Sequence, residues 1–198
     1  MSNMATRKET KVITSKVRLS YVHVFEPYSN DPDKEARYSC AILIPKTDKA
    51  LIRLIKEAQQ EAIKAAVEAG KIKLRNGKVP PNFKNTLRDG DEEADLERNP
   101  EYAGHMFMNV SAKNRPGIVD NRVDPITDST EVYSGCYARV SMNAYCYNTQ
   151  GSQGVTFGLN NIQKIADGEM LGGRARAEDD FEVEDDEYLE DDEDGGLI

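Results

Sequence analysis

The chain has 198 residues, with 26 Lys and Arg against 35 Asp and Glu and a formal net charge of −9. That length fits one domain with appendages, or at most two small domains. No run of about 18 apolar residues offers a membrane-spanning helix. The polar start MSNMATRKETK has no apolar signal region, and Cys40, Cys136 and Cys146 form no CxxC pair. Both features point to reduced thiols in a cytoplasm.

Residues 1–10 are polar and read as a flexible N-terminus. From Lys11 to Tyr28, KVITSKVRLSYVHVFEPY is rich in β-branched and aromatic residues, which predicts a strand. Strict alternation would put Val17, Leu19, Tyr21, His23 and Phe25 on one face, with Lys16, Arg18 and Ser20 beginning the other. YSNDPDKE is turn-rich. ARYSCAILIP (36–45) predicts a second strand, apolar enough to be buried on both faces. TDKALIRLIKEAQQEAIKAAVEAG predicts the one long helix. Thr47 or Asp48 can cap it, Leu51, Ile55, Ala58, Ala62 and Ala65 recur at helical spacing, and Gly70 ends it.

Residues 71–103 show no clear element. Lys71, Lys73, Arg75, Lys78, Lys84 and Arg88 are followed by the acidic run DGDEEADLE. An excursion of this length is too long for an ordinary connector. GHMFMNVSAKNRPG (104–117), GCYARVSMNAYCYNTQGSQG (135–154) and GVTFGLNNIQKIADGE (154–169) predict the third, fourth and fifth strands. The fold class is therefore mainly β with one long helix (α+β). Five strands with a helix between the second and third suit a small OB-like barrel.

The charge is segregated. Glu178–Ile198 holds thirteen acidic residues and no basic ones, so the remainder carries +4. Like charges repel, and Phe181, Val183, Tyr188, Leu189, Leu197 and Ile198 are too few to build a core, so this tail is expected to have no fixed fold. A basic body beside an acidic tail points toward nucleic acid. Residues 11–177 then form the binding domain, and the tail either solubilises the chain or binds partners.

Strand alternation sharpens that reading. In the fourth strand Cys136, Ala138, Val140, Met142, Ala144 and Cys146 face inward. Tyr137, Arg139, Ser141, Asn143, Tyr145 and Tyr147 face outward. In the third strand Met106, Met108, Val110 and Ala112 face inward, while His105, Phe107, Asn109, Ser111 and Lys113 face outward. Aromatic rings between cationic and amide groups suit single-stranded nucleic acid. Rings stack on exposed bases whatever their identity, and cations neutralise phosphates. Half-buried strand tyrosines would give the same pattern.

No catalytic or cofactor motif emerges, and no cofactor or metal is expected. His23 and His105 have no ligand spacing with the cysteines. Asp89, Asp91, Glu93 and Asp95 alternate as in a calcium loop, but Ala94 and Pro100 stand where Gly and Glu are required. A magnesium-dependent nuclease using Asp89, Asp91 and Asp95 is the competing reading from another class. An adaptor that binds protein and no DNA is a third.

GCYARVSMNAYCYNTQGSQGVTFGLNNIQKIADGEMLGG resembles the C-terminal half of single-stranded-DNA-binding proteins of tailed bacteriophages. KVITSKVRLSYVHVFEP, YSCAILIPKTDKALI and the helix that follows are similar to their N-terminal half. The likeness spans residues 11–173. It implies an OB fold that binds single strands without sequence preference in phage replication or recombination, in the host cytoplasm. It also implies a homodimer and an acidic tail that competes with DNA and recruits replication or recombination proteins. A strand-annealing recombination protein is the neighbouring alternative. Binding roles carry over to Tyr137, Arg139, Tyr145, Tyr147, Phe107 and Lys113, and less directly to Arg18, Tyr21, Arg37 and Tyr38. Phe181, Tyr188, Leu197 and Ile198 would serve partners.

Overall fold

The computed structural model describes residues 4–172. The acidic tail, with Phe181, Tyr188, Leu197 and Ile198, lies outside them. In chain order the elements are β1 (Thr6–Lys8), β2 (Lys11–Ile13), β3 (Val17–Tyr28), β4 (Arg37–Pro45) and α1 (Lys49–Glu68). Then come β5 (Lys84–Asn85), β6 (Arg88–Asp89), the one-turn α2 (Gly90–Glu93) and a 3₁₀ turn (Pro100–Tyr102). β7 (His105–Ala112), β8 (Gly117–Val119), β9 (Tyr137–Thr149) and β10 (Ser152–Ala166) complete the described chain.

The five predicted strands are the long ones. β3 pairs with β4, β4 with β7, β7 with β10, β10 with β9, and β9 returns to β3, which closes a ring. All these pairings are antiparallel except β7–β10. Two seams are short, with two residue pairs each at β3–β9 and β7–β10. The ring is thus of the partly open OB type. β5 and β8 lie along the same edge of β10 as β7, beyond its two ends.

The strand expected from Lys11 to Tyr28 is broken, because Thr14 is fully buried. Its N–H donates to the Val140 carbonyl at 3.0 Å, and its hydroxyl accepts the Val140 N–H at 2.9 Å. These bonds pull the chain aside, so β2 and β3 pair with β9 separately.

Inside the ring, Cys136, just before β9, and Ala138, Val140, Met142, Ala144 and Cys146 of β9 are all buried, as alternation predicts. They meet Leu19, Ile42, Ile44, Met108, Phe157 and Ile162. α1 closes one opening of the ring with Leu51, Ile55, Ala58, Gln59, Ala62 and Ala66. The last inward residue is Ala66 rather than the expected Ala65, since 3.6 residues per turn rotate the stripe forward. The Asp48 carboxylate accepts the Leu51 N–H at 3.1 Å and caps the helix. At the other end Lys71 N–H donates to Ala66 O and Gly70 N–H to Val67 O, with Gly70 at φ 74°. This is a Schellman closure, which needs the left-handed residue that glycine supplies.

β3 loses register with β4 twice, between Ser20 and His23 and between His23 and Tyr28, and the first irregularity, a bulge, decides where Tyr21 and His23 point. Ser20 pairs with Ala41, but His23 pairs with Ser39, so β3 carries one extra residue between them. The extra residue reverses the inward–outward phase of the strand. Val24 becomes a core residue, and Tyr21 and His23 leave the core face on which alternation would have put them.

Candidate nucleic-acid interface

A cleft of about 860 Å³ lies on the outside of the ring. Its floor is the outer face of β4 and β7, carrying Arg37, Ser39, Phe107, Asn109 and Ser111, and it continues onto Thr156 of β10. One wall is the end of β3 and the connection to β4, with Tyr28, Ser29, Lys34 and Glu35. The opposite wall is the excursion, with Thr86, Arg88, Asp95, Asn99 and Tyr102. In OB barrels the second and third strands, with the loop joining the first and second, form the face that takes oligonucleotides and oligosaccharides. β4, β7 and the β3–β4 connection are those elements here.

The two irregularities of β3 set the cleft's aromatic groups, the first placing Tyr21 and His23 and the second preceding Tyr28. Tyr21 sits at φ 46°, is 56% exposed and donates its hydroxyl to Asn99 Oδ1 at 2.8 Å. A non-glycine residue held at positive φ is strained, and here the strain lifts the ring over the cleft. His23 stacks on Tyr28 with ring centroids 4.2 Å apart and planes 11° from parallel. Burial lowers the His23 pKa, so the imidazole is neutral near pH 7 and acts as a flat ring rather than a cation.

Phe107 shows the cost of covering a strand's outer face. It points outward, as alternation predicts, yet only 6% of it is exposed. Tyr102 meets its ring edge-on at 5.0 Å, the Arg88 guanidinium stands 4.4 Å from its centroid, and Leu43 packs beside it. The excursion has folded over it, so Phe107 supports the floor and presents no open face for stacking. Desolvation raises the Tyr102 pKa, which keeps the phenol neutral.

The acidic part of the excursion is tied down. Lys46 Nζ lies 2.6 Å from Asp89 Oδ1 and 2.6 Å from Asp91 Oδ2. Asp89 also caps α2 by accepting the Asp91 N–H at 2.9 Å, and Asp91 accepts the Gly104 N–H at 3.0 Å. The hydrogen bonds from Lys46 hold both carboxylates below their usual pKa. Asp95 is directed elsewhere, accepting the Glu97 N–H at 3.2 Å. The three acids of the nuclease reading therefore do not converge, and among the described residues no three His, Cys, Asp or Glu side chains could hold a metal ion.

The remaining predicted residues divide into two groups. At one end of β9, Tyr137 lies under Lys16 and Arg18, 5.3 and 5.7 Å from its centroid. Arg18 donates to the carbonyls of Gly135 (3.2 Å) and Glu169 (2.8 Å). Arg139 donates to Thr14 O at 2.9 Å and Met4 O at 3.1 Å. Arg18 and Arg139 thus hold the N-terminal segment and the exit from β10. At the other end, Tyr145 pairs with Thr156 and Tyr147 with Gly154, so both adjoin the cleft across β10. Tyr145 is 42% exposed and leans on Gly158, its ring 3.6 Å from where a Cβ would stand. Lys113 forms an ion pair with Glu35 at 3.5 Å, at the rim of the β3–β4 wall. On β4, Arg37 opens into the cleft, whereas Tyr38 shares the opposite face with Cys40.

Strand faces alone do not reveal His23, Tyr28, Lys34 and Arg88. His23 depends on the bulge, which no residue in YVHV announces. Lys34 and Arg88 belong to segments whose path over the barrel is set by tertiary packing.

A family model described as the ssDNA-binding protein of Enterobacter phage Enc34 matches residues 10–194. A curated relative, "Putative protein p50" of Acyrthosiphon pisum secondary endosymbiont phage 1, is 31% identical over 185 residues, covering 90% of this chain and 98% of that one. The structure of the Enc34 protein in complex with ssDNA superposes with a TM-score of 0.71 at 24% identity, over 83% of this chain and 91% of that one. The bacteriophage T7 single-stranded DNA binding protein gp2.5 does so with a TM-score of 0.57 at 18% identity, over 92% and 99%. The two structural likenesses establish a shared fold. With the family match across most of its length, this chain belongs to the phage family of single-stranded-DNA-binding proteins typified by that of Enterobacter phage Enc34.

Proposed function

We propose that this protein binds single-stranded DNA without sequence preference, along the cleft and the outer surface that continues over β10 to Tyr145. The observation that carries this reading is the pairing of exposed rings with cations on the OB face. Tyr21, the His23–Tyr28 stack and Tyr145 offer flat surfaces, and Lys34, Arg37 and Arg88 line the same cleft. The Enc34 relative, seen in complex with ssDNA, supports it. Each stacked base contributes about 1–3 kcal/mol. A duplex hides its base faces and gains little from the rings.

Binding of this kind would coat strands exposed in phage replication or recombination. The acidic residues 178–198 would compete with DNA for the basic surface and, once displaced, recruit replication or recombination proteins. Self-association into a dimer would join two such surfaces, and annealing of complementary strands would be a further consequence.

Fluorescence anisotropy on labelled single-stranded and duplex DNA tests the reading. The full chain is compared with one ending at Ala177 across a salt titration. Single strands should bind better than duplex, added salt should weaken the complex, and truncation should tighten it. No binding by either form at moderate salt would leave the aromatic face as packing surface and favour the adaptor reading. Cleavage of plasmid DNA only when magnesium is present would restore the nuclease reading.

A further inference from the structure

Residues 71–88 contain six Lys and Arg and no Asp or Glu. Arg88 lines the cleft, as does Thr86. Lys84 stands on β5, paired with Gly154 of β10, and β10 pairs Gly154 in turn with Tyr147. Gly154 has no side chain, and the Tyr147 hydroxyl reaches within 2.8 Å of where its Cβ would stand. The ring therefore lies across the strand toward Lys84. Upstream, Arg75 and Lys78 exchange backbone hydrogen bonds of 2.8 and 3.0 Å around Asn76 (φ 51°) and Gly77 (φ 72°). This is a two-residue turn with both central residues left-handed, so it projects as a tight, defined hairpin. Buried Ile72 and Pro80 anchor its two legs. Asn148, at the end of β9, donates to Lys71 O at 3.0 Å and fixes the hairpin beside the β9–β10 turn.

Lys71, Lys73, Arg75, Lys78 and Lys84 are all exposed. Among the described residues none of them forms an ion pair with a carboxylate. Glu68, just upstream, forms no ion pair with them, and the acids that follow, Asp89 and Asp91, are held by Lys46. Uncompensated cations in a row repel one another, and a polyanion laid along them relieves that repulsion and releases its own counterions.

We propose that residues 71–88 form a basic rail that carries the phosphodiester backbone of a single strand out of the cleft, past Tyr147, to the β9–β10 turn. This rests on the cleft binding single strands. The first nucleotides lie in the cleft, and the rail holds those that follow by their phosphates alone. The rail therefore adds affinity only for strands long enough to leave the cleft.

The test uses the full chain with Lys73→Ala, Arg75→Ala and Lys78→Ala together, against oligothymidylates of about 4 and about 16 nucleotides, the span of site sizes for OB folds. The three side chains are exposed, the anchors Ile72 and Pro80 and the central turn residues Asn76 and Gly77 stay, and the turn's hydrogen bonds are backbone ones, so the fold is kept; circular dichroism checks this. For the long strand the slope of log affinity on log salt should flatten by about 2, at about 0.7 for each phosphate that is no longer neutralised. Affinity for the short strand should stay unchanged. The Lys73→Arg and Lys78→Arg double variant should keep the wild-type slope. An unchanged slope for the long strand overturns the rail and leaves the cleft standing. An equal loss for both lengths also overturns it, since the charges would then act as a diffuse field. Tighter DNA binding by the triple variant would assign the hairpin to the acidic residues 178–198 and overturn it too. A wild-type chain that binds neither length removes the cleft reading and the rail with it.

Discussion

Replacing Tyr145 by alanine isolates the stacking contribution. Its ring leans on Gly158 by one edge, 42% of the residue is exposed, and its hydroxyl forms no hydrogen bond among the described residues. The side chain thus contributes little to the packed core, and its removal should change stability by no more than about 1 kcal/mol. For a single stacked base the expected loss is about 1–3 kcal/mol, or about 5-fold to about 150-fold in affinity. Anisotropy titration of a labelled oligothymidylate gives the dissociation constants, and thermal melting confirms the fold. Tyr145→Phe keeps the ring face and should bind like the wild type. If Tyr145→Ala melts normally and binds with unchanged affinity, the outer surface over β10 is not on the DNA path.

Other variants probe charge, pH and burial. Arg37 opens into the cleft and makes no ion pair among the described residues, so Arg37→Ala should reduce the salt slope by about 0.7, read from the same titrations. Lys46 holds Asp89 and Asp91 below their usual pKa of 3.8, so the stabilisation is complete above that value and is lost as pH falls through the lowered folded values. Lys46→Met should therefore melt lower than the wild type at neutral pH, and the gap should close below about pH 4; a gap that persists in acid would refute the assignment. Burial, with Cys136 close by, pushes the Cys40 thiol up to about 12, and burial raises Cys136 and Cys146 as well. A thiol reagent at pH 8 should label none of the three in the native protein and all of them after unfolding.

Much of this molecule is written locally. The alternation in GCYARVSMNAYCYN depends only on the two-residue period of a strand, so its buried and outward faces follow from the order of side chains. The start and stop of α1 follow from Asp48 and Gly70, whose roles depend on backbone conformation within one turn. The segregation of acid into the tail depends on composition alone. What the folded chain added came from contacts between distant segments. One extra residue in β3 placed Tyr21 and His23 in the cleft, because Ser39 and Ala41 of β4 fix the register on either side. The excursion buried Phe107, through Tyr102 and Arg88, and so removed a ring that alternation had exposed. Arg18 and Arg139, equally cationic in sequence, were drawn to backbone carbonyls at the far end of β9. A cation's sequence position does not say whether it will meet a carbonyl or open water; the path of the chain around it does, and that path closes only when the ring of strands closes.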